Sequence, residues 1–285
     1  MRRIVVMTDS TCDLPAEWVQ QHDIRVVPTY VQFDQESLAD DGVHLTREVF
    51  YRRLVTAPRL PTTAAPPPGQ TLGMVAQALA DAEHVIAVCA SAALSGIFNT
   101  FRLAVEQTDP QRVTLIDSQM VSMGLGWQVI EAAEMAERGV SPADIRRRLV
   151  EIQPRTDVYA ALDTLEYLRR SGRVGWAKAA LGSFLQVKPL IRLHLSVVSS
   201  LARMRTPLRA FDRLVELARE AAPLSRLAIL HTANRDGAEQ LYHAVADVRP
   251  PDSLCPIVEV TPVIGVHVGP RGLGLGLVRK TGTAD

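Results

Sequence analysis

Hydroxyl and carboxyl side chains collect where apolar runs end in the first half of the chain. Met7 gives way to Thr8-Asp9-Ser10-Thr11, Cys89 leads into Ser91-Ala92-Ala93-Leu94-Ser95-Gly96, and Ile116 runs into Asp117-Ser118. Hydroxyls and the main-chain N–H groups beside them are donors suited to an anion. Ser95-Gly96 also opens a helical pattern, where the helix dipole favours negative charge. Each turn alone fits an ordinary helix cap, whereas three together point to a site. Pro61-Thr62-Thr63-Ala64-Ala65-Pro66 adds two threonines whose backbone is fixed by bracketing prolines. The resulting expectation is that Thr63 and Ser95 stand at the carboxyl ends of parallel strands and face a small anionic ligand.

Other residues carry weaker signals. The glycine-rich segment Ile264–Gly274 lacks the lysine and hydroxyl of a phosphate loop and is expected not to open a helix. His267 lies within it among β-branched residues, a setting that fits a structural histidine, and the other six histidines are scattered without metal-ligand spacing. Leu165–Val174 leaves a helix through Gly172 and exposes arginines, including Arg173, and Arg203, Arg205 and Arg209 repeat this near Pro207. A solvated face explains such arginines, and in clusters they also suit an acidic partner or a phosphate.

These residues need a scaffold, and the apolar periodicity supplies one. Short β-branched runs at 3–7, 25–31, 84–89 and 113–116 alternate with helical patterns at 15–21, 46–55, 70–81, 96–107 and 120–138. That rhythm predicts βαβ units around a parallel, Rossmann-like sheet with flanking helices. Ser141-Pro142-Ala143-Asp144 starts a further helix to about Glu151, which closes the first domain. From Asp157 the expected strands fall at 157–161, 190–198, 227–231, 257–260 and 263–268, with helices at 164–170, 177–185, 207–222 and 235–246. Several of these strands are close enough to pair antiparallel. The fold class expected is therefore α/β with two domains, residues 1–156 around a parallel sheet and 157–285 forming an α+β domain with a largely antiparallel sheet.

Composition narrows the function. The 285 residues carry 31 Lys plus Arg and 31 Asp plus Glu, so no net field draws the chain toward nucleic acid or an anionic membrane. No run approaches the ~20 apolar residues of a spanning helix, and the apolar stretch after Met1-Arg2-Arg3 is too short for a signal peptide. Cys12, Cys89 and Cys255 are too widely spaced for a disulfide framework or a zinc site. A cytoplasmic protein with no metal and no cofactor is the expectation.

At these same residues the sequence resembles the DegV family of bacterial fatty-acid-binding proteins, carrier subunits of fatty acid kinase. The matching pieces run in order: Thr8–Pro15, Thr62-Thr63, Leu94-Ser95-Gly96, Asp117-Ser118, Ser122-Met123-Gly124-Leu125-Gly126, Ser171-Gly172-Arg173-Val174, Val187-Lys188-Pro189-Leu190, Arg205-Thr206 and Gly265–Pro270. Each piece is short, and their common order over nearly the whole chain is specific. The resemblance implies a long-chain fatty acid with its tail in a tunnel of the first domain and its carboxylate near the domain interface. By position, Thr63, Ser95 and His267 would bind the carboxylate, with Ser91, Thr62 and Ser118 in support. Arg173 and Arg205 match the arginines that dock the kinase subunit, so catalysis would belong to that partner. The chain departs from the family pattern at Ala64, Ala65 and Ala92, where polar residues are usual, and at Ile97-Phe98 in place of Thr-Tyr. Those departures imply a less polar pocket floor or a different acyl chain.

The rival reading is a serine hydrolase with Ser95 as nucleophile, His267 as base and Asp9 or Asp117 as orienter. Ser95 lacks the Gly-x-Ser-x-Gly elbow that exposes such a nucleophile. A nucleotide or sugar-phosphate regulator fits the parallel sheet and lacks the phosphate loop.

Overall fold

A computed structural model describes residues 2–179, 187–250 and 255–281. The chain begins with β1 (Arg2–Asp9), α1 (Ala16–Gln21), β2 (Arg25–Val27), β3 (Tyr30–Phe33), β4 (Glu36–Ala39), α2 (Arg47–Thr56), β5 (Thr62–Ala64) and α3 (Pro68–Asp81). It continues through β6 (Ala82–Cys89), α4 (Ile97–Glu106), β7 (Val113–Asp117), α5 (Met123–Glu137) and α6 (Pro142–Ile152). Strands β2-β1-β6-β7 form the expected parallel sheet. Val85–Cys89 is wholly buried, as befits a parallel strand covered on both faces.

A second sheet takes up the rest of the chain: β8 (Thr156–Ala161), α7 (Glu166–Ser171), α8 (Gly175–Ala179), β9 (Lys188–His194), β10 (Val197–Met204), α9 (Pro207–Glu220), β11 (Leu224–His231), α10 (Arg235–Ala244), β12 (Ile257–Glu259), α11 (Pro262–Val268) and β13 (Leu273–Arg279). Its order is β10-β9-β8-β13-β11-β12, antiparallel throughout except for the β11–β12 pair. Helix α5 lies between the sheets, touching β1 and β6 on one side and β8 and β13 on the other. A helix in that position must be apolar all round, and Met123, Leu125, Trp127, Val129, Ile130, Ala132 and Ala133 are all buried. One continuous apolar core therefore joins Ile4, Ile86 and Trp127 to Val158, Leu193 and Leu230.

The departures from the sequence pattern have local causes. The segment expected as a strand at 263–268 is helix α11, because Pro262 occupies a first-turn position and buried carboxylates accept its leading N–H groups. The run at 25–31 breaks around Pro28-Thr29, and β3 turns away into a separate antiparallel sheet, β4-β3-β5. The run at 190–198 is a hairpin whose two turn residues, Leu195 and Ser196, have φ of 45° and 68°. Strand β13, Leu-Gly-Leu-Gly-Leu-Val-Arg, is not among the expected strands, because glycine weakens strands. Gly276 is needed there, since a Cβ would come within 2.8 Å of Met123 Cβ on α5. The helix expected at 177–185 begins as α8, and 180–186 lies outside the described residues.

Candidate functional site

A cavity of about 220 Å³ opens between the two sheets. Protein interiors hold few voids larger than a water, so a space of this size is kept for an occupant. Its wall is mainly apolar. The first half contributes Ala64, Ala65, Leu94, Ile97 and Val121, while β8, β9 and β11 contribute Val158, Ala160, Ile191, Leu193 and Leu230. This cavity is walled by both halves, with most lining residues from the second. Polar groups on the wall are few: Thr11, Thr63, Ser95, Ser122, Arg173, His231, Thr232 and His267.

Thr63, Ser95 and His267 all face this one space. Thr63 Oγ1 and His267 Nε2 are 3.2 Å apart although 204 residues separate them in sequence. Thr63 reaches the site from β5, which pairs antiparallel with β3 (Val31 opposite Thr63), so it does not stand at the end of a parallel strand as expected. Ser95 does follow a parallel strand, β6, and its Oγ accepts the Ile97 N–H at 3.3 Å as α4 begins. His267 comes from the last turn of α11. Burial, aided by the Arg173 charge, pushes its pKa down to about 4, so the imidazole is neutral near pH 7. Its Nδ1 is buried without a partner among the described residues.

Ser91, Thr62 and Ser118 stand outside the cavity wall. Ser91 Oγ donates to Ser196 Oγ at 2.8 Å and docks the β9–β10 turn onto the first sheet. The Ser118 hydroxyl is occupied by the Met120 backbone, its Oγ 3.1 Å from both N and O. Thr62 is exposed on β5. Arg173 lies on the wall while remaining solvent-exposed, its Nη1 donating to Ser171 O at 2.7 Å. Arg205 is exposed just past β10.

Four wall residues, Thr11, Ser122, His231 and Thr232, were not singled out as site residues from the sequence. The signal existed. Leu227–His231 is a strand ending in a polar pair, the same strand-end logic that picked out Ser95. His231 is fully buried, with Nε2 unpartnered, and burial beside Arg235 and Arg47 pushes its pKa down to about 4. Asp9 lies behind the wall. Its Oδ1 accepts from Thr11 N at 3.0 Å and Thr11 Oγ1 at 2.5 Å, and its Oδ2 accepts from Ala90 N at 2.8 Å.

No hydrogen bond joins Ser95 to His267, and neither Asp9 nor Asp117 reaches the imidazole. Asp117 instead accepts from Ala92 N at 3.3 Å and Gln119 N at 2.8 Å. A triad geometry is therefore not assembled. Among the described residues no cluster of three or more His, Cys, Asp or Glu is placed to hold a metal ion, and no helix is long and apolar enough to cross a membrane. A second, open cleft of about 650 Å³ lies between Arg52, Tyr167 and Arg271. There Arg271 pairs with Asp163, and Arg52 lies 3.9 Å from Glu48. The apolar cavity with its few convergent polar groups is the better ligand site.

The chain is similar to known proteins over nearly its whole length. The DegV family profile, described as "Uncharacterised protein, DegV family", matches residues 3–280. A DegV domain-containing protein of Streptomyces coelicolor is 34% identical over 280 residues, covering 96% of this chain and 98% of that protein. Two solved structures, both 30% identical and covering 98% of this chain and 100% of theirs, are also similar. One is a DegV family protein from Thermus thermophilus described for its fatty acid binding (TM-score 0.89). The other is DegV from Bacillus subtilis, described as a fatty acid binding protein (TM-score 0.86).

Proposed function

Because the chain belongs to the DegV family, we propose that it binds a long-chain fatty acid in the cavity between its sheets and presents the carboxylate to a separate ATP-dependent fatty acid kinase. The observation that carries this reading is an apolar cavity whose wall includes a hydroxyl–imidazole pair, Thr63 and His267, 3.2 Å apart. Residues 1–156 form the lipid-binding domain, and 157–285 form the domain that completes the head-group site and carries the docking arginines. The tail lies along Val158, Ile191, Leu193 and their neighbours, and Thr63, Ser95 and His267 hold the head. Each buried methylene is worth roughly 0.8 kcal/mol, so a chain of about sixteen carbons gains on the order of 10 kcal/mol before ordering costs. A hydrogen bond to the charged carboxylate adds only ~1.5–3 kcal/mol. The tail thus dominates affinity and the polar groups set orientation.

Thr63, Ser95 and His267 orient the carboxylate, leaving an oxygen free to attack the γ-phosphorus of ATP on the partner as the bond to ADP breaks. This chain supplies no catalytic residue and no cofactor, and its place is the cytoplasm, where the kinase finds ATP. Arg173, on the cavity wall, and Arg205 are the docking cations. The reading is tested by titrating palmitate into delipidated protein: tight one-to-one binding, weakened by Thr63→Val or Ser95→Ala, is expected, and saturable binding untouched by either change would overturn the head-group assignment.

A further inference from the structure

Helix α11 carries His267 in its last turn, and its first turn is held by carboxylates from the opposite end of the sequence. Asp40 Oδ2 accepts the Val263 N–H at 3.1 Å, and Asp13 Oδ1 accepts the Thr261 N–H at 2.8 Å. Both acids are buried. Thr261, the residue placed to cap this helix, makes no side-chain capping bond. Two remote acids therefore satisfy donors that a local cap ordinarily satisfies. Arg47 lies close enough to both to offset their charge.

The origin of each acid matters. Asp40 directly follows β4, and β4 belongs to the same three-stranded sheet that presents Thr63 from β5. One small sheet thus grips α11 twice, through Asp40 at its start and through Thr63 at His267 near its end. Asp13 also accepts the Ser122 hydroxyl at 2.5 Å, and Ser122 is on the cavity wall. A seven-residue helix has little stability of its own, so its placement is set by such contacts. A cap on Thr261 would tie α11 only to its own segment, whereas Asp13 and Asp40 tie it to the half of the molecule that holds Thr63 and Ser95.

We propose that Asp13 and Asp40 are positioning residues, which cap α11 across the interface between the halves and so set where His267 stands against Thr63. The inference rests on the reading of Thr63, Ser95 and His267 as the carboxylate site. It is tested by a double-mutant cycle on delipidated protein, with palmitate affinity as the readout and near-ultraviolet circular dichroism as the check of folding. His267→Ala is expected to weaken binding about tenfold, Asp40→Ala by a similar factor, and the double variant no more than about twofold beyond His267→Ala alone. Asp40→Asn, which keeps an acceptor for the Val263 N–H, should recover most of the affinity. Should Asp40→Ala not fold, Asp40→Glu keeps the charge while displacing α11 by the length of a methylene, and it should likewise weaken binding only when His267 is present. Independent losses that multiply in the double variant would make the acids merely structural and overturn the proposal, as would full affinity in Asp40→Ala beside a weakened His267→Ala. Full affinity in His267→Ala itself would remove the carboxylate-site reading and this inference with it.

Discussion

Thr63 and His267 meet through a single side-chain contact across the two halves of the molecule, which makes each a clean probe of the head-group site. Thr63→Val keeps the shape and removes the hydroxyl. Loss of one hydrogen bond to a charged group costs ~1.5–3 kcal/mol, so palmitate affinity should fall by at least about tenfold with the melting temperature little changed. His267 makes a second prediction, in pH. Its pKa drops from 6.5 in the unfolded chain to about 4 in the folded one. The stability it confers is complete above pH 6.5 and is lost as pH falls from there toward 4, because only the unfolded chain takes up the proton in that window. Asp40, raised by burial from 3.8 to about 7, runs the other way: its contribution is full at low pH and lost as pH rises through 7. The difference in unfolding free energy between the wild type and His267→Gln isolates the histidine, and it should shrink by about 3 kcal/mol between pH 6.5 and 4. An NMR titration of the ligand-free ring with a midpoint near 6.5 would contradict the account.

At the scale of elements, α11 is the part on which the site depends most. Gly265, in its middle, packs so closely on α2 that an added Cβ would lie 2.5 Å from Phe50 Cε1, on a ring that is fully buried. Gly265→Ala should therefore destabilise the protein by about 1–3 kcal/mol and weaken fatty acid binding as well, because the helix that carries His267 must move. This element is also where the sequence was least legible. The parallel strands announced themselves through apolar runs ended by hydroxyl turns, and β1, β6 and β7 lie within a residue or two of where the pattern put them. Helix α11 did not, because Pro-Val-Ile-Gly-Val-His-Val has strand-like composition and its capping acids lie more than 220 residues away. Strand β13 was hidden for a related reason, as Gly276 answers to Met123 on α5 and Gly274 to the Tyr159 carbonyl on β8 rather than to any local rule. Of the site, the hydroxyls of Thr63 and Ser95 could be picked out from turns and prolines. His267 gained weight only from the family resemblance, and Asp13 and Asp40 only from long-range contacts that one sequence does not encode locally.

For the whole molecule, the two sheets share one apolar core through α5 and enclose the cavity between them, so on the proposed reading both halves hold the ligand. Arg205 is exposed and off the cavity wall, so the docking role proposed for it is separable from lipid binding, whereas Arg173 lines the cavity. Charge reversal at Arg205, which lies off the cavity wall, should leave palmitate affinity within about twofold while lowering the rate at which a fatty acid kinase turns over the loaded protein; an unchanged coupled rate would count against docking there. The central claim, that the chain carries a fatty acid, is tested most directly by native mass spectrometry of the purified protein followed by solvent extraction and analysis of the released lipid. The account predicts a one-to-one adduct that yields a long-chain fatty acid, and its restoration when delipidated protein is offered palmitate. Protein that carries no fatty acid and takes none up would contradict it.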